Sequence, residues 1–401
     1  MSADKLQLSK NARLMSPDAL LGRARDAAVQ VAAASAEIEA ERKLPGAVMD
    51  ALHGAALFRA TLPHWLNGAE LAPPQLAQIT ETIAHADASA AWCLGQAFGC
   101  AMSAAFMDED AARTVFGPAD AVLAWGAGAQ GKATVTEGGY RVTGAWKFAS
   151  GGKQATWLGA HCKVFNADGS PLLNAHGKHA NRTALFPRSV PTIADDWHVM
   201  GLRGTRSEGY SVEDLFVEDA FTLDRETPSE CRSDSPLYQF PTTNVYAGSF
   251  SGVALGIARG ALDDLRALAL HKTARGARSS LRDSPVFQNE LAQLEARYGS
   301  SRAFQQDTLN RIWDCVAAGD ALTMDQRAQI RLATTWAINQ CSEIVHKVYR
   351  LAGSTAIFLD APFERRFRDM HAVSQQVQGR PSNYENVGAY YLDHQADTLF
   401  M

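Results

Sequence analysis

The chain has 401 residues, of which 46% are hydrophobic and 20% are charged. That composition is typical of a globular protein and excludes an intrinsically disordered one, and the length allows two or three domains. The formal net charge of −5 excludes a general attraction to nucleic acid or to an anionic membrane surface.

Cysteine usage and hydropathy favour a soluble protein. The six cysteines are scattered and include no C-x-x-C pair, so we expect neither a metal site nor a disulfide framework. The N-terminal residues lack the apolar segment and cleavage site of a signal peptide, and no stretch of about 18 uncharged apolar residues predicts a membrane span. We therefore expect a cytoplasmic protein that binds neither membrane nor nucleic acid.

The N-terminal part of the chain has the pattern of helices. Ser16 is placed to cap the first helix, with Pro17 at its first position. A later helix follows Pro73-Pro74 with apolar residues at helical spacing. The next stretch, ASAAWCLGQAFGCAMSAAFM, is apolar nearly all round, as a central buried helix should be. We expect an α-helical domain over residues 1–118.

From about residue 121 the hydrophobic period changes to two. The stretch ATVTEGGYRVTGAWKFAS contains two alternating strands about Gly138 and Gly139, which predicts a β-hairpin. TALFPRSV and GYSVEDLFVED add further β-rich segments. We expect a central β-domain over residues 119–228.

Two long helices dominate the C-terminal part. The first begins with Ser284 as its cap, and the second opens with a capping-box pattern from Thr323 to Gln326 and ends at Gly353. Long helices with a broad apolar face usually form a four-helix bundle, often completed by a partner subunit. We expect this bundle over residues 229–401, and the predicted fold class is α+β, mostly α.

Residues 126–131 read GAGAQG, which formally matches the G-x-G-x-x-G of a dinucleotide site. Such a site needs a helix directly after the glycines. The residues that follow here, KATVTEGGYRV, have the pattern of a hairpin instead. We therefore expect no nicotinamide site in this segment.

Four stretches of the chain resemble the acyl-CoA dehydrogenase superfamily. They are GGYRVTGAWKFASGGKQATW (138–157), WHVMGLRGTRSEGYSVEDLFV (197–217), SLRDSPVFQNELAQLEA (280–296) and LAGSTAIFLDAPFERRFRD (351–369). The resemblance implies an acyl-CoA dehydrogenase-like fold, with an N-terminal helical domain, a central β-domain and a C-terminal four-helix bundle. ADASAAW (86–92) and RDMHAVSQQ (368–376) resemble one branch in particular, the oxygenase components of two-component flavin-dependent monooxygenases.

That branch implies an oxidoreductase that receives reduced flavin, FMNH2 or FADH2, from a separate NAD(P)H-dependent flavin reductase. The flavin reacts with O2 to give a C4a-hydroperoxyflavin. This species hydroxylates an aromatic or phenolic small molecule, or oxidises the nitrogen of an amine. The resemblance also implies a homotetramer, which the apolar bundle faces favour as well.

Ser150, in the segment FASGG, matches the serine that the branch places beside the flavin N5 and the hydroperoxide. A hydroxyl both donates and accepts hydrogen bonds, as holding a peroxide requires. The alternative is a strand-end serine that bonds its own turn. In the flavin-contact interpretation Phe148 and Ala149 line the ring, although a core position in the β-domain is almost as simple an interpretation of Phe148.

Arg278 precedes the first long bundle helix, where the superfamily places an arginine on the flavin phosphate. The charge and forked shape of arginine suit that contact, and Arg275 and Arg282 are close alternatives. Gly353 and Ser354 replace the glycine-rich turn by which the superfamily approaches the cofactor, also from a neighbouring subunit. An ordinary helix C-cap is the alternative for Gly353.

His371 matches the first of one or two histidines that the branch carries in this helix. Because histidine titrates near neutral pH, it can accept a proton from a phenol or hold a hydroperoxide, and the alternative is a polar residue on a helix face. The later histidine position is Gln376 here, and Gln96 stands in AWCLGQAF, where another histidine is common. We expect Trp92, Gln96 and Gln376 to line the substrate pocket. The charges of PFERRFRD, three and four residues apart, predict ion pairs that position the helix.

Two other functions stay open. Asp360 lies two residues before Pro362, where many acyl-CoA dehydrogenases carry the glutamate that removes the substrate's α-proton. The chain is alternatively such a dehydrogenase, with FAD and with Asp360 as the base, although a misplacement of about 1 Å can cost roughly 100-fold in rate. The other alternative is a non-catalytic flavin-binding member of the fold.

Overall fold

The computed structural model describes residues 16–175, 177–225, 227–276, 278–398 and 401. The chain runs from helices through strands and back to helices, so the predicted fold class, α+β with mostly helices, is confirmed. The helices are α1 (Pro17–Ala33), α2 (Ser35–Glu41), α3 (Gly46–Gly54), α4 (Pro73–Ala86), α5 (Ala88–Ala101), α6 (Glu109–Phe116), α7 (Thr242–Ala269), α8 (Pro285–Ala317), α9 (Met324–Ala352), α10 (Pro362–Ser374) and α11 (Ser382–Tyr391).

The N-terminal helices begin at capping residues. The Ser16 hydroxyl accepts a hydrogen bond from the backbone N–H of Ala19 at 3.3 Å, as predicted for the start of α1. The Asp87 carboxylate accepts one from the N–H of Ala90 at 2.9 Å and so caps α5. Helix α5 is buried around nearly its whole circumference, as its alanine-rich sequence predicts.

The described strands form one eight-stranded mixed sheet with the order β6-β7-β3-β2-β4-β5-β8, in which β1 pairs in parallel with β4. The predicted hairpin is present, since β2 and β3 pair antiparallel about a turn in which Gly138 has a φ of +76°. The strands are β1 (Leu123–Trp125), β2 (Gly131–Thr136), β3 (Gly139–Trp146), β4 (Trp157–Phe165), β5 (Asn181–Pro187), β6 (Thr192–Ile193), β7 (Tyr210–Glu218) and β8 (Thr222–Leu223).

Of the glycines in residues 126–131, Gly126 and Gly128 lie between β1 and β2, and Gly131 is the first residue of β2. A strand follows them, so this segment does not present the helix N-terminus on which a dinucleotide pyrophosphate rests. A Cβ atom at Gly131 would lie 2.3 Å from the Trp146 side chain. The absence of a side chain at Gly131 therefore serves the packing of the sheet.

The long C-terminal helices have the predicted ends. The Ser284 hydroxyl accepts from the N–H of Phe287 at 3.4 Å at the start of α8. At the start of α9, Thr323 and Gln326 form the predicted capping box: the Gln326 N–H donates to the Thr323 hydroxyl at 3.2 Å, and the Thr323 N–H donates to the Gln326 Oε1 at 2.9 Å. Helix α9 packs against α7, α8 and α10.

Glycines on α7 bring two helices of the core close together. A Cβ atom at Gly252 would lie 2.3 Å from the carbonyl oxygen of Ala77 on α4, and one at Gly256 would lie 2.3 Å from that of Glu81. Since no side chain fits those gaps, α4 and α7 pack backbone against backbone. This packing positions α5, which lies against both helices and against β1.

Arg365 on α10 is the centre of a buried ion cluster. Its guanidinium binds the Asp87 carboxylate, donates to the Ser35 carbonyl at 2.7 Å, and lies 3.8 Å from Asp369 and 3.9 Å from Glu39. The Asp87 side chain is 0% exposed and that of Asp369 is 6% exposed. Burial raises the pKa of Asp369 to about 7 and also raises the pKa of Asp87, while Arg365 opposes both shifts. The charges of PFERRFRD thus position α10, as predicted.

Asp369 also fastens α10 to the loop before β7. Its Oδ1 accepts a hydrogen bond from the N–H of Leu202 at 2.6 Å. Next to it, a Cβ atom at Gly201 would lie 2.1 Å from the carbonyl oxygen of Arg368, so the loop and the helix are in backbone contact there. The bundle and the β-domain are joined at this point.

All six cysteines lie in the described residues and are free thiols. The described helices include none that is both long and apolar enough to cross a membrane. In the same residues, His, Cys, Asp and Glu side chains form no group of three or more that could hold a metal ion.

We expect Arg365→Ala to lower the free energy of unfolding by about 3–5 kcal/mol near neutral pH, because it leaves two buried carboxyls without their cation. A carboxyl whose pKa is raised in the folded state binds its proton more tightly there than in the unfolded chain, so the stability it contributes falls as pH rises. The loss should therefore be smaller at about pH 5.5 than at about pH 8. Urea unfolding at both pH values measures it.

The matched control is Arg266→Ala. This arginine is 61% exposed and lies 3.9 Å from Asp263 on the same helix, so its removal should change the free energy of unfolding by less than about 1 kcal/mol. Equal losses for the two variants would contradict a central role for Arg365.

Candidate active site

Two loops of the β-domain meet at the centre of the candidate site. The FASGG loop (148–152) follows β3, and the LRGTRSEG loop (202–209) precedes β7. The N–H of Gly151 donates to the carbonyl of Thr205 at 3.0 Å, and the N–H of Ala149 donates to that of Glu208 at 3.4 Å. These bonds bring together two of the segments that carry the family resemblance.

Three residues of these two loops have a strained backbone, and six further described non-glycine residues with positive φ lie elsewhere in the chain. Phe148, Leu202 and Arg206 have φ values of +64°, +52° and +43°, in the left-handed region that is unfavourable for residues with a large side chain. Such strain persists only where the surrounding structure holds it, and it occurs preferentially at binding and catalytic sites. The strain adds to the contacts between the two loops as an indication of a functional site.

A chain of buried hydroxyls passes between the loops. The indole Nε1 of Trp92 donates to the Ser150 Oγ at 3.0 Å, the Ser150 Oγ lies 2.7 Å from the Ser207 Oγ, and this lies 2.7 Å from the Thr205 Oγ1. The Thr205 hydroxyl donates to the carbonyl of Leu202 at 2.8 Å. The structure thus brings the predicted residues Trp92 and Ser150 into direct contact. It also shows that Ser150 bonds more than its own turn.

Phe148 does not belong to the core of the β-domain. Its side chain is 60% exposed, and its ring meets the edge of Trp197 at a centroid distance of 6.1 Å. The Trp197 Nε1 in turn donates to the Leu202 carbonyl at 3.3 Å. The interpretation of Phe148 as a core residue is therefore wrong, because its left-handed backbone turns the ring outward. Ala149, beside it, is buried.

An aromatic stack adjoins the hydroxyl chain. The Trp92 ring stacks on Phe250 with centroids 4.0 Å apart, and Phe250 stacks on Tyr246 with centroids 5.4 Å apart. The Gln96 amide donates to the Tyr246 hydroxyl at 3.1 Å. Trp92 and Gln96 are four residues apart on α5, and Tyr246 and Phe250 are four apart on α7. The two helices thus present matching pairs.

His371 lies on α10 and packs against the bundle rather than against the hydroxyl chain. Its ring centroid is 4.2 Å from that of Phe367 and 6.4 Å from that of His346 on α9. Within the described part of the chain its buried Nε2 has no hydrogen-bond partner. Burial lowers the pKa of His371, and His346 lowers it further. The imidazole is consequently neutral at pH 7 and can accept a proton.

Gln376 lies just beyond α10. Its Oε1 accepts a hydrogen bond from the N–H of Gln378 at 2.9 Å and so caps the short 3-10 helix Val377–Gly379. Its Nε2 is buried and has no hydrogen-bond partner among the described residues. Gln376 therefore keeps an amide NH2 with two free N–H donors, although contacts with Trp92 or Gln96 are not among its interactions.

Three predicted cofactor residues lie at the surface, apart from the hydroxyl chain. Arg278 is exposed in the segment between α7 and α8, and Gly353 and Ser354 are exposed at the end of α9. Gly353 has a φ of +59°, and the Lys272 Nζ next to it donates to the Thr355 Oγ1 at 2.7 Å. Lys272 also donates to the carbonyl of Ala352, so this turn is a helix C-cap.

Asp360 is exposed in the turn before α10. The apolar side chains before it, Ile357, Phe358 and Leu359, are exposed as well. A base that removes a proton from carbon works best when it is desolvated and firmly positioned. The surroundings of Asp360 in this chain provide neither condition.

Sequence reasoning missed Ser207, Thr205, Tyr246 and Phe250. The segment GLRGTRSEG had been assigned to the family, but none of its hydroxyls had been given a role. The spacing of Tyr246 and Phe250 was a usable signal, since it equals that of Trp92 and Gln96. Only the packing of α7 against α5 shows that the two pairs face each other.

Comparisons with known proteins agree with this geometry. Residues 249–379 match the family described as "Acyl-CoA dehydrogenase, C-terminal domain". Indole-3-acetate monooxygenase of Pseudomonas putida is 31% identical over 359 residues, which cover 90% of each protein. The oxygenase subunit HsaA of a flavin-dependent monooxygenase from Rhodococcus jostii is 26% identical over 344 residues, which cover 84% of this chain and 88% of that protein.

The fold also matches a solved structure. XiaF from Streptomyces, determined in complex with FADH2 and glycerol, has a TM-score of 0.87 at 22% sequence identity, and the match covers 96% of this chain and 98% of that one. The family match covers the bundle, and the relatives extend the similarity through the β-domain and the N-terminal helices. The chain therefore belongs to the acyl-CoA dehydrogenase superfamily and, within it, to the branch of flavin-dependent monooxygenases.

Proposed function

We propose that the chain is the oxygenase component of a two-component system that uses reduced flavin and O2 to hydroxylate an aromatic small molecule, or to oxidise the nitrogen of an amine. One observation carries the proposal. The Ser150 hydroxyl is bonded to Trp92 of the Trp92–Phe250–Tyr246 stack, and the exposed ring of Phe148 lies two residues before it in the same loop. A flat cofactor and a flat substrate can meet at such a place.

The residues present fit a flavin. The exposed ring of Phe148, held in a left-handed conformation, offers a surface for a planar ring system, as aromatic pairs prefer. The Ser150 Oγ keeps one lone pair for a polar atom at the ring edge. We assign Phe148, Ala149 and Ser150 to the isoalloxazine on these grounds, and the same residues suit FMN and FAD.

The remainder of the cofactor is assigned to surface residues. Arg278 is exposed and, among the described residues, has no ion-pair partner, whereas the alternative Arg282 is paired with Asp283 at 3.6 Å. This difference favours Arg278, rather than Arg282, as the cation for the flavin phosphate. Gly353 and Ser354 remain accessible for contact with the cofactor of a neighbouring subunit.

A reduced flavin bound here would supply activation of O2 and transfer of one oxygen atom to the substrate. The protein's part is to exclude water and to manage protons. We assign proton acceptance from the substrate to the neutral His371, whose Nε2 is unpaired within the described chain. Trp92, Gln96 and Gln376 form the substrate pocket, together with Tyr246 and Phe250.

The substrate class follows from the pocket walls. Stacked aromatic rings favour a planar aromatic molecule, and the amides of Gln96 and Gln376 offer neutral hydrogen bonds rather than charge. One relative is named for its action on indole-3-acetate, which supports an aromatic substrate with one or two rings for this chain. A separate NAD(P)H-dependent reductase supplies the reduced flavin. The relative HsaA is named as the oxygenase subunit of a flavin-dependent monooxygenase, which supports such a division of tasks.

We expect a homotetramer. Phe304 on α8 and Trp336 on α9 are 39% and 41% exposed, which leaves apolar surface on the bundle for another copy of the chain. Multi-angle light scattering should give four times the chain mass of 43.2 kDa, and Trp336→Lys should lower that mass. A monomeric wild-type protein would refute this assembly.

The proposed reaction is tested by mixing the protein anaerobically with FMNH2 and then with O2 and candidate aromatic substrates. We expect a transient absorbance distinct from those of reduced and oxidised flavin, and one oxygen atom from O2 in the product. Isolated protein that is yellow with tightly bound FAD and is bleached by an acyl-CoA would instead support the dehydrogenase with Asp360. If flavin binds but O2 gives only hydrogen peroxide with every substrate, the non-catalytic alternative is favoured.

His371→Ala should lower the rate of product formation by about 100-fold or more while flavin binding is retained, since it removes a general base. Because burial lowers the pKa of His371, the wild-type rate should rise with pH through an apparent pKa below 6.5, and the variant should lack that step. Product yield and peroxide release across pH measure both effects. His394→Ala, at an exposed position after α11, is the control, and a pH profile shared by both variants would exclude His371 as the base.

A further inference from the structure

The hydroxyl chain at Ser150 has two ends of fixed polarity. At one end the indole Nε1–H of Trp92 can only donate a hydrogen bond, and at the other the carbonyl of Leu202 can only accept one. Between them lie the hydroxyls of Ser150, Ser207 and Thr205, each of which carries one proton. The contacts between neighbouring members are 3.0, 2.7, 2.7 and 2.8 Å.

These ends determine the direction of every bond in the chain. The Thr205 hydroxyl gives its proton to the Leu202 carbonyl, so it must accept from Ser207. The Ser207 hydroxyl has then used its proton, so it must accept from Ser150. Ser150 donates to Ser207 and accepts from Trp92. Three protons thus fill three bonds, and the Trp92 N–H fills the fourth.

Ser150 is left with one lone pair and no proton for a ligand. Reversing its hydroxyl would leave the Ser207 oxygen without a donor in a place from which water is excluded, since Ser150, Ser207 and Thr205 are 6%, 2% and 0% exposed. An unmade hydrogen bond between buried groups is unfavourable. Toward any ligand, Ser150 is therefore an acceptor only.

We propose that this directed chain makes the site selective for reduced over oxidised flavin, with Ser207 and Thr205 as positioning residues that act through Ser150. The inference rests on the proposed function, with the Ser150 Oγ meeting N5 at the flavin ring edge, as the family resemblance implies. In the oxidised ring N5 carries a lone pair, which opposes that of Ser150. In the reduced ring N5 carries a hydrogen and would donate a hydrogen bond to the Ser150 Oγ.

The selectivity has a use in a two-component system. The oxygenase has to take the reduced cofactor that a separate protein releases, in the presence of the oxidised form to which that cofactor returns. The flavin N5 changes from a hydrogen-bond acceptor to a donor on reduction. A serine that can only accept therefore distinguishes the two redox states without a conformational change of the protein.

The test measures dissociation constants for FMN and, anaerobically, for FMNH2, by equilibrium dialysis. The wild-type protein should bind FMNH2 at least about tenfold more tightly, as one hydrogen bond gained against one lone-pair conflict implies. Ser207→Ala frees the Ser150 proton, so oxidised FMN should bind about tenfold more tightly while FMNH2 binding changes little. Thr205→Val has a similar shape but no hydroxyl, so the Ser207 hydroxyl can donate to Ser150 instead, and the Ser150 proton again becomes free for FMN. This variant should therefore change the two dissociation constants in the same direction.

A second readout is the midpoint potential of bound FMN, since selective binding of the reduced form raises it. For this two-electron couple a tenfold change in the ratio of dissociation constants corresponds to about 30 mV. Ser207→Ala and Thr205→Val should therefore lower the midpoint potential by about 30 mV for each tenfold gain in FMN affinity relative to FMNH2 affinity. Ser150→Ala should lower it too, but here FMNH2 binding weakens as well, because the acceptor for N5–H is lost together with the lone-pair conflict.

Ser301→Ala is the matched control, because Ser301 is a fully buried serine on α8, outside the chain of hydroxyls. It should leave both dissociation constants unchanged. Ser207→Thr, which keeps a hydroxyl, should show the wild-type ratio.

Equal wild-type affinities for FMN and FMNH2 would overturn the inference while leaving the monooxygenase proposal intact. They would indicate that Ser150 contacts N3–H, a donor in both redox states. Loss of FMNH2 binding alone in Ser207→Ala would also overturn it. Failure of both flavin forms, as FMN and as FAD, to bind would refute the inference together with the proposed function.

Discussion

The ion cluster around Arg365 is the constraint on which the site depends. Its three anchored parts are the start of α5 through Asp87, the loop before β7 through Asp369 and Leu202, and α10 itself. Helix α5 carries Trp92, the loop carries the acceptor end of the hydroxyl chain, and α10 carries His371. One guanidinium between two buried carboxyls therefore positions elements from all three parts of the chain. Since buried carboxylates without a cation are strongly unfavourable, the arrangement has little freedom to shift.

The site combines a rigid polar path with apolar walls. The path from Trp92 to Leu202 is fully hydrogen-bonded, so it supplies orientation without an unsatisfied group. The walls of the candidate site are rings stacked at 4.0 and 5.4 Å. His371 and Gln376, at the C-terminal end of α10 and just beyond it, each have a buried nitrogen without a hydrogen-bond partner among the described residues.

Much of the fold could be predicted from local patterns. The cap at Ser16, the hairpin about Gly138 and the capping box at Thr323 depend on neighbours within four residues, and each is present. The site was only partly predictable. Ser150 and Trp92 were named separately, because a family motif marks each of them. Ser207, Thr205 and Phe250 could not be placed at the site from the sequence, because their placement depends on contacts between segments far apart in the chain.

The sequence by itself determined the element order, the helix ends and the family, since periodicity, capping and motif spacing are properties of short segments. It also indicated that the charges of PFERRFRD serve to place a helix. Only the tertiary structure decided which groups meet: that the Trp92 indole reaches Ser150, that α7 supplies the facing aromatic pair, and that Asp360 stays at the surface. The direction of the hydroxyl chain belongs with these. A serine has the same proton and lone pairs in any sequence, and only its buried neighbours determine which of them remains for a ligand.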